Sequence, residues 1–103
     1  MYNKTIVIGR LFKDPAPRET NTELKAASFT VWNSTMKDGK EDRQFQRVVA
    51  YGKQAELVMQ HLREGDLCCI EGAIANRKGA LPYIMAEHVT FISSKRTANK
   101  ENA

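Results

Sequence analysis

The chain has 103 residues, with 16 Lys and Arg against 12 Asp and Glu, and 42% of its residues are hydrophobic. That length provides one modest hydrophobic core, so we expect a single domain. No apolar run approaches the roughly 20 residues of a membrane span, and the N-terminus does not read as a signal peptide. Three prolines, six glycines and 27% charged residues argue against a collagen-like or disordered chain. We therefore expect a small soluble domain without a membrane partner, whose net charge of +4 permits an acidic ligand without requiring one.

Along the chain, β-rich segments alternate with turn residues. The pattern predicts five strands, at residues 5–12, 26–32, 43–51, 67–72 and 81–92. Two prolines end the first strand, and a polar, Gly-containing loop over residues 36–42 follows the second. Between the third and fourth strands, apolar residues recur at helical spacing and predict a helix over about residues 53–62.

This order of elements predicts an all-β protein with one helix. Five strands with a helix between the third and fourth are the order of the OB-fold, a five-stranded, partly open barrel. We expect the helix to close one end of the barrel and strands two and three to form the usual binding face. Another small β-barrel stays an alternative, because the prediction depends on order and periodicity alone. The OB-fold domain is expected to span residues 1–92, and the polar tail, 93–103, is expected to be disordered.

One face of the second and third strands mixes aromatic and cationic residues. Alternation places Thr30, Trp32, Phe45, Arg47 and Tyr51 on this face, and Phe29, Val31, Val48 and Ala50 on the other. Lys53 follows directly. Bases of single-stranded nucleic acid stack on aromatic rings, and cations follow its phosphates, so this pattern predicts a binding site for it. The alternative is that both faces are buried in a small barrel and that the aromatic side chains fill its core.

A basic turn is predicted at residues 76–79, between the fourth and fifth strands. Arg77 and Lys78 lie on this turn beside the same barrel face, and we consider both as phosphate ligands. The dipeptide at Gly52 and Lys53 is not a phosphate loop, because the preceding glycines of that motif are absent.

No group of residues in the sequence predicts enzyme activity. His61 and His88 have no nucleophile or carboxylate partner at a suitable spacing. Cys68 and Cys69 are adjacent, and a disulfide between neighbours would be strained, so reduced cysteines of a cytoplasmic protein are the simplest interpretation. Without Cys or His residues at ligand spacing, we expect no metal, and we expect no cofactor.

Four segments resemble the bacterial single-stranded DNA-binding proteins, the replication proteins known as SSB. They are residues 3–18, 45–56, 62–72 and 85–92. The first is similar to the family's pattern N-x-x-x-L-V-G-R-L-x-x-D-P-x-x-R, and the third to Y-L-x-K-G-x-x-V-x-V-x-G. The resemblance covers about residues 3–92. It implies an OB-fold protein that binds single-stranded DNA without sequence preference, in replication, recombination or repair, with no cofactor and no catalysis.

The resemblance also implies individual roles and an assembly. Phe45 and Tyr51 stand where the family has base-stacking aromatic residues. Four residues stand where it has cations that contact phosphates: Lys4, Arg18, Arg47 and Lys53. Because the family forms homotetramers through pairing of first strands, we expect a homotetramer, with a dimer as the alternative, and a location in the cytoplasm at the nucleoid.

The chain also departs from the family's pattern. Family members often have aromatic residues near the positions of Lys37, Cys69 and Gly79, and a longer loop in place of residues 76–80. Residues 93–103 contain no acidic hydrophobic tip, so we expect no recruitment of proteins through such a tip. Two rival functions stay open. One is a replication-restart factor similar to primosomal replication protein B, and the other is an OB-fold assembly module with weak or no DNA binding.

Overall fold

Six strands and one helix form in the computed structural model, which is described here for residues 3–18 and 23–94. Their bounds are β1 Thr5–Leu11, β2 Ala16–Arg18, β3 Ala26–Lys37, β4 Lys40–Tyr51, α1 Lys53–His61, β5 Leu67–Ala75 and β6 Tyr83–Ser93. The five long strands and the helix follow the predicted order, and the OB-fold is confirmed. The three-residue strand β2 was not predicted. Most of the predicted tail, residues 95–103, lies outside the described residues.

The five long strands form a closed barrel. β1 pairs with β5, β5 with β6 and β3 with β4, all in antiparallel register. The ring is completed by two short ladders, a parallel one between β4 and β6 and an antiparallel one between β1 and β3. β2 pairs with β3 at its other edge. The parallel ladder matters for function because it places the start of β6 beside the outer face of β4.

Side-chain burial confirms the predicted inner face of β3 and β4, although Val49 on the other face of β4 is also only 5% exposed. Phe29 and Val31 are at most 6% exposed, and Val48 and Ala50 are fully buried. α1 contacts β3, β4 and β6 and adds its own apolar side chains to the core. All five long strands and the helix contribute to one cluster, which includes Leu11, Val31, Val48, Val58, Ile70 and Ile84. The opposite face of β3 and β4 is thereby left as the outer surface of the barrel.

Glycine permits a close approach of backbones at two positions in the barrel. A Cβ atom on Gly9 would lie 2.7 Å from the carbonyl oxygen of Trp32. A Cβ atom on Gly72 would overlap the carbonyl oxygen of Met85. Gly72 also stands where the β5–β6 ladder shifts register, as at a β-bulge. Neither glycine can be replaced without movement of the backbone.

The structure differs from the sequence prediction at the connection between β3 and β4. A polar loop is predicted over residues 36–42, yet the strands continue to Lys37 and resume at Lys40. The turn consists of Asp38 and Gly39, whose φ angles are 53° and 77°. Positive φ angles at both central residues are typical of the two-residue hairpin turn whose twist matches that of the paired strands. β3 and β4 therefore pair to their tip as one ribbon.

Within residues 3–18 and 23–94, no helix is both long enough and apolar enough to cross a membrane.

Candidate nucleic-acid interface

The aromatic and basic residues predicted on β3 and β4 share the outer face of the barrel. Trp32 pairs with Phe45, and Thr30 pairs with Arg47 in the strand register. Phe45 is 49% exposed and Arg47 is also exposed, whereas Thr30, Trp32 and Tyr51 are half-buried. Phe45 and Arg47 are therefore available to a ligand and do not fill the core.

An arginine covers one face of the Trp32 ring. The guanidinium carbon of Arg43 lies 4.4 Å from the ring centroid, in the geometry of a cation–π contact. Arg43 is also paired with Glu41, with 3.5 Å between Nε and Oε1. A base that stacks on Trp32 must therefore use the other ring face or displace Arg43.

Phe12 extends the aromatic surface beyond β3 and β4. It follows β1 directly, is 45% exposed, and its ring centroid lies 5.4 Å from that of Phe45. The two ring planes meet at 81°, in an edge-to-face arrangement. The Phe12 backbone N–H donates a hydrogen bond of 2.8 Å to the Thr30 carbonyl, which fixes this segment to β3. We refer to Phe12, Trp32 and Phe45 together as the aromatic platform.

Three arginines and two tyrosines converge in a groove between β4 and β6. Its cavity of about 200 Å³ is lined by Arg18, Arg47, Tyr51, Arg77 and Tyr83, together with small and apolar residues. We refer to these five residues as the arginine groove. None of the described residues that line this cavity is acidic. The groove therefore concentrates positive charge beside two aromatic rings, a combination that suits a strand of nucleic acid.

The arginine groove and the aromatic platform are continuous. A second cavity, of about 190 Å³, is lined by Phe12 of the platform and by Arg18 and Arg47 of the groove. Asp14 also lines this cavity, and its carboxylate accepts a hydrogen bond of 2.8 Å from the backbone N–H of Glu64. One ligand can thus contact both clusters at once.

A hydrogen bond connects one of the groove's tyrosines to one of its arginines. Nε of Arg77 donates to the Tyr83 hydroxyl at 2.7 Å. This bond is the main reason that the pKa of Tyr83 lies below its ordinary value of 10.0. Burial raises the pKa of Tyr51, and its contact with Tyr83 adds to that effect. The same bond to Tyr83 raises the pKa of Arg77, so its guanidinium stays charged.

Three of the predicted cations line neither cavity. Lys4 precedes β1, and its Nζ lies 3.9 Å from Oε2 of Glu71 on β5, so part of its charge is neutralised there. Lys53 is exposed as the first residue of α1, and Lys78 is exposed beside Arg77. The structure brings together Thr30, Trp32, Phe45, Arg47, Tyr51, Arg18 and Arg77 of the predicted set, and it leaves these three lysines at or beyond the margin.

Comparison with known proteins identifies the family. Residues 2–92 match the family described as the Single-strand binding protein family. The chain belongs to this family. A Staphylococcus aureus protein named Single-stranded DNA-binding protein 1 is 30% identical, with 98% of this chain and 72% of the relative aligned. A Clostridium acetobutylicum protein named Single-stranded DNA-binding protein 2 is 35% identical, over 97% of this chain and 84% of its own length.

For this member of the Single-strand binding protein family, sequence reasoning overlooked Phe12 and Tyr83. Phe12 stands at the end of a β-rich segment, where an aromatic residue is most simply explained as core. A signal was present, because alternation places Phe12 opposite the buried Leu11. Tyr83 carried no such signal, since only the parallel pairing of β4 with β6 brings it near Tyr51. Within the described part of the chain, no three His, Cys, Asp or Glu residues could hold a metal ion.

Proposed function

We propose that this protein binds single-stranded DNA without sequence preference and catalyses no reaction. One observation carries the proposal: the aromatic platform and the arginine groove form a continuous outer surface across β3, β4 and the start of β6. Membership of the Single-strand binding protein family and the names of the relatives support it.

Bases bind to the aromatic platform by stacking. Phe45 and Phe12 present exposed ring surface, and stacking on such rings contributes about 1–3 kcal/mol per base. Every base has a π-face, so a surface that stacks bases without contacting their hydrogen-bonding edges discriminates little between sequences. In a duplex the bases already stack on each other, so the platform selects single strands.

Phosphates bind to the cations on either side of the platform. Arg18, Arg47 and Arg77 line one groove, and guanidinium groups hold phosphate oxygens through paired hydrogen bonds. Lys53 and Lys78 are exposed nearby and add long-range attraction. Lys4 contributes less, because Glu71 competes with phosphate for its ammonium group.

The protein assembles into a homotetramer and acts at the nucleoid in replication, recombination and repair. β1 supports the assembly, because among residues 3–18 and 23–94 only Arg10 and Leu11 of β1 pair with β3. Within that described part of the chain, the rest of this edge of β1 is open to a strand of another subunit. The outer face of the same strand exposes Ile6 at 60% and Ile8 at 53%, apolar surface that a partner subunit would cover.

The fluorescence of Trp32 tests the proposal directly, because Trp32 is the only tryptophan of the chain. Oligo-dT should quench it in a saturable way, and a duplex of equal charge should quench it much less. Sedimentation of the same samples then gives the mass of the free and bound protein. If oligo-dT neither quenches Trp32 nor co-sediments with the protein, the proposed function fails and the rival interpretation as an assembly module is favoured. A dimeric mass with retained DNA binding favours the restart-factor alternative.

A further inference from the structure

Arg77 is an exposed residue whose position is nevertheless well defined. Its carbonyl oxygen accepts a hydrogen bond of 3.1 Å from the Ala80 backbone N–H, which closes the turn between β5 and β6. Its side chain donates from Nε to the Tyr83 hydroxyl at 2.7 Å. The backbone of Arg77 is therefore held within the turn, and its side chain is held by the first residue of β6.

Tyr83 is in turn held by the barrel. It is the first residue of β6 and pairs with Ala75 of β5. Its ring is half-buried, and it lines the arginine groove together with Tyr51 of β4, whose hydroxyl interacts with its own. The direction of the Arg77 guanidinium is thus determined by strands of the barrel rather than by the turn.

We propose that Tyr83 is a positioning residue, whose hydroxyl holds Arg77 by Nε so that both Nη groups face a backbone phosphate in the arginine groove. A guanidinium has five N–H groups, and the bond to Tyr83 uses the one on Nε. Of the four that remain, one on each Nη nitrogen forms the end-on edge, and this pair binds two phosphate oxygens at once. Arg18 and Arg47 line the same cavity and complete the phosphate site. The inference rests on the proposed function and assigns the positioning of this phosphate contact to Tyr83, a residue outside the predicted set.

Tyr83→Phe is the decisive variant, because it removes the hydroxyl and keeps the ring that packs in the groove. We expect its affinity for oligo-dT to fall about three- to tenfold, the effect of one lost hydrogen bond. Its log–log salt slope should become shallower by up to about 0.7, the value for one phosphate contact on a single strand. Thermal unfolding of the variant serves as the folding control.

Three further variants separate positioning from a merely structural role. Arg77→Gln should abolish the effect of Tyr83→Phe, because the hydroxyl then has no guanidinium to hold. Arg77→Lys keeps the positive charge but lacks the paired N–H groups of a guanidinium, so this variant should bind oligo-dT as weakly as Tyr83→Phe does. Lys78→Gln removes a charge from the same turn, and the effect of Tyr83→Phe should persist in that background. An unchanged affinity in Tyr83→Phe, or an equal loss with and without Arg77, would overturn the inference.

Tyrosine absorbance provides a measurement that needs no DNA. Arg77 lowers the pKa of Tyr83, so Arg77→Gln should raise the pKa of one tyrosine in an absorbance titration. Tyr83→Phe should remove the ionisation of that tyrosine from the titration curve. Absence of this shift would also contradict the inference. If the unmodified protein fails to bind oligo-dT, the proposed function and the positioning role both fail. If it binds and Tyr83→Phe binds equally well, only the positioning role fails.

Discussion

At the scale of single residues, the surface keeps apolar rings in contact with solvent. Phe12 and Phe45 each leave nearly half of their surface exposed, although burial would contribute to stability. Their edge-to-face contact covers part of each ring and holds both in place. Exposed rings that are already oriented lose little conformational freedom when a base arrives, so their arrangement favours binding.

Phe45→Ala should weaken binding of oligo-dT by about 1–3 kcal/mol, because a base loses its stacking partner. Stability should change little, since Phe45 is half exposed. Ile70→Ala is the control in the core: Ile70 is fully buried inside the barrel and lines neither cavity, so its loss should cost about 2–5 kcal/mol of folding free energy. Binding per folded molecule should stay unchanged in that control. Urea unfolding and fluorescence titration measure the two quantities, and the reverse pattern would mean that the binding face is misassigned.

Arg47→Gln should weaken binding to every single-stranded sequence alike, because its guanidinium contacts phosphate and not the base edges. The log–log salt slope should become shallower by about 0.7 for each phosphate contact that is lost. Lys4→Gln should change the slope less, since Lys4 is already paired with Glu71. Titrations at several salt concentrations measure both variants, and equal slopes in Arg47→Gln and the unmodified protein would place the phosphates elsewhere.

The two adjacent cysteines should differ in reactivity. Burial raises the pKa of the Cys68 thiol to about 12, whereas Cys69 is half-buried on the other side of β5. Alkylation of the folded protein at pH 8 should therefore add one label, at Cys69. The folded Cys69→Ser variant should take up no label under the same conditions. Unfolding returns Cys68 to its ordinary value of 9.0, so the stability that the protonated thiol contributes is lost as the pH rises from about 9 to 12. Intact mass measures the labels, and a label on Cys68 in the folded protein would contradict the prediction.

At the scale of elements, the site depends on where strands can approach each other. The β3–β4 ribbon supplies most of the platform, and the β5–β6 hairpin supplies Arg77 and Tyr83. The bulge at Gly72 lies within this hairpin, where β6 changes register against β5. The position of the groove therefore depends on a close backbone contact that only glycine permits.

Gly72→Ala should destabilise the barrel by about 1–3 kcal/mol or more, because the new methyl group would overlap the Met85 carbonyl oxygen. Gly79→Asn is a suitable control. No atom lies within 4 Å of a Cβ built there, and asparagine tolerates its φ of 82°. Urea unfolding should show a large change for the first variant and a small one for the second. Similar stabilities would mean that the strands can separate at the bulge at little cost.

At the scale of the whole molecule, β1 has an apolar outer face that is exposed and an edge that pairs only in part with the other strands described. Ile6→Lys combined with Ile8→Lys should reduce the mass in solution to that of a smaller assembly, because lysines cannot be buried against a partner at low cost. Met36→Lys, at a residue that is 71% exposed near the ribbon tip, should leave the mass unchanged. Sedimentation at micromolar concentration measures all three proteins. A monomeric mass for the unmodified chain would contradict the proposed assembly.

The sequence by itself determined the order of the strands, the position of the helix and the inward face of β3 and β4. These properties follow from local periodicity, because neighbouring residues in a strand point to opposite sides and a helix repeats every 3.6 residues. Phe45 and Arg47 could be selected for the same reason, since both lie on one predicted strand. The tip of the ribbon was missed because the geometry of Asp38 and Gly39 favours continued pairing over a loop.

Only the tertiary structure decided how the site is completed. Phe12 contacts Phe45, which lies far from it in the sequence, and Arg18 lies in one groove with Arg77 and Tyr83. No local pattern specifies these contacts, because they arise when the short β1–β3 and β4–β6 ladders close the barrel. That closure is driven by the burial of a core to which all five long strands contribute. The arginine groove is thus a consequence of packing on the inside of the barrel, which brings distant residues together on its outside.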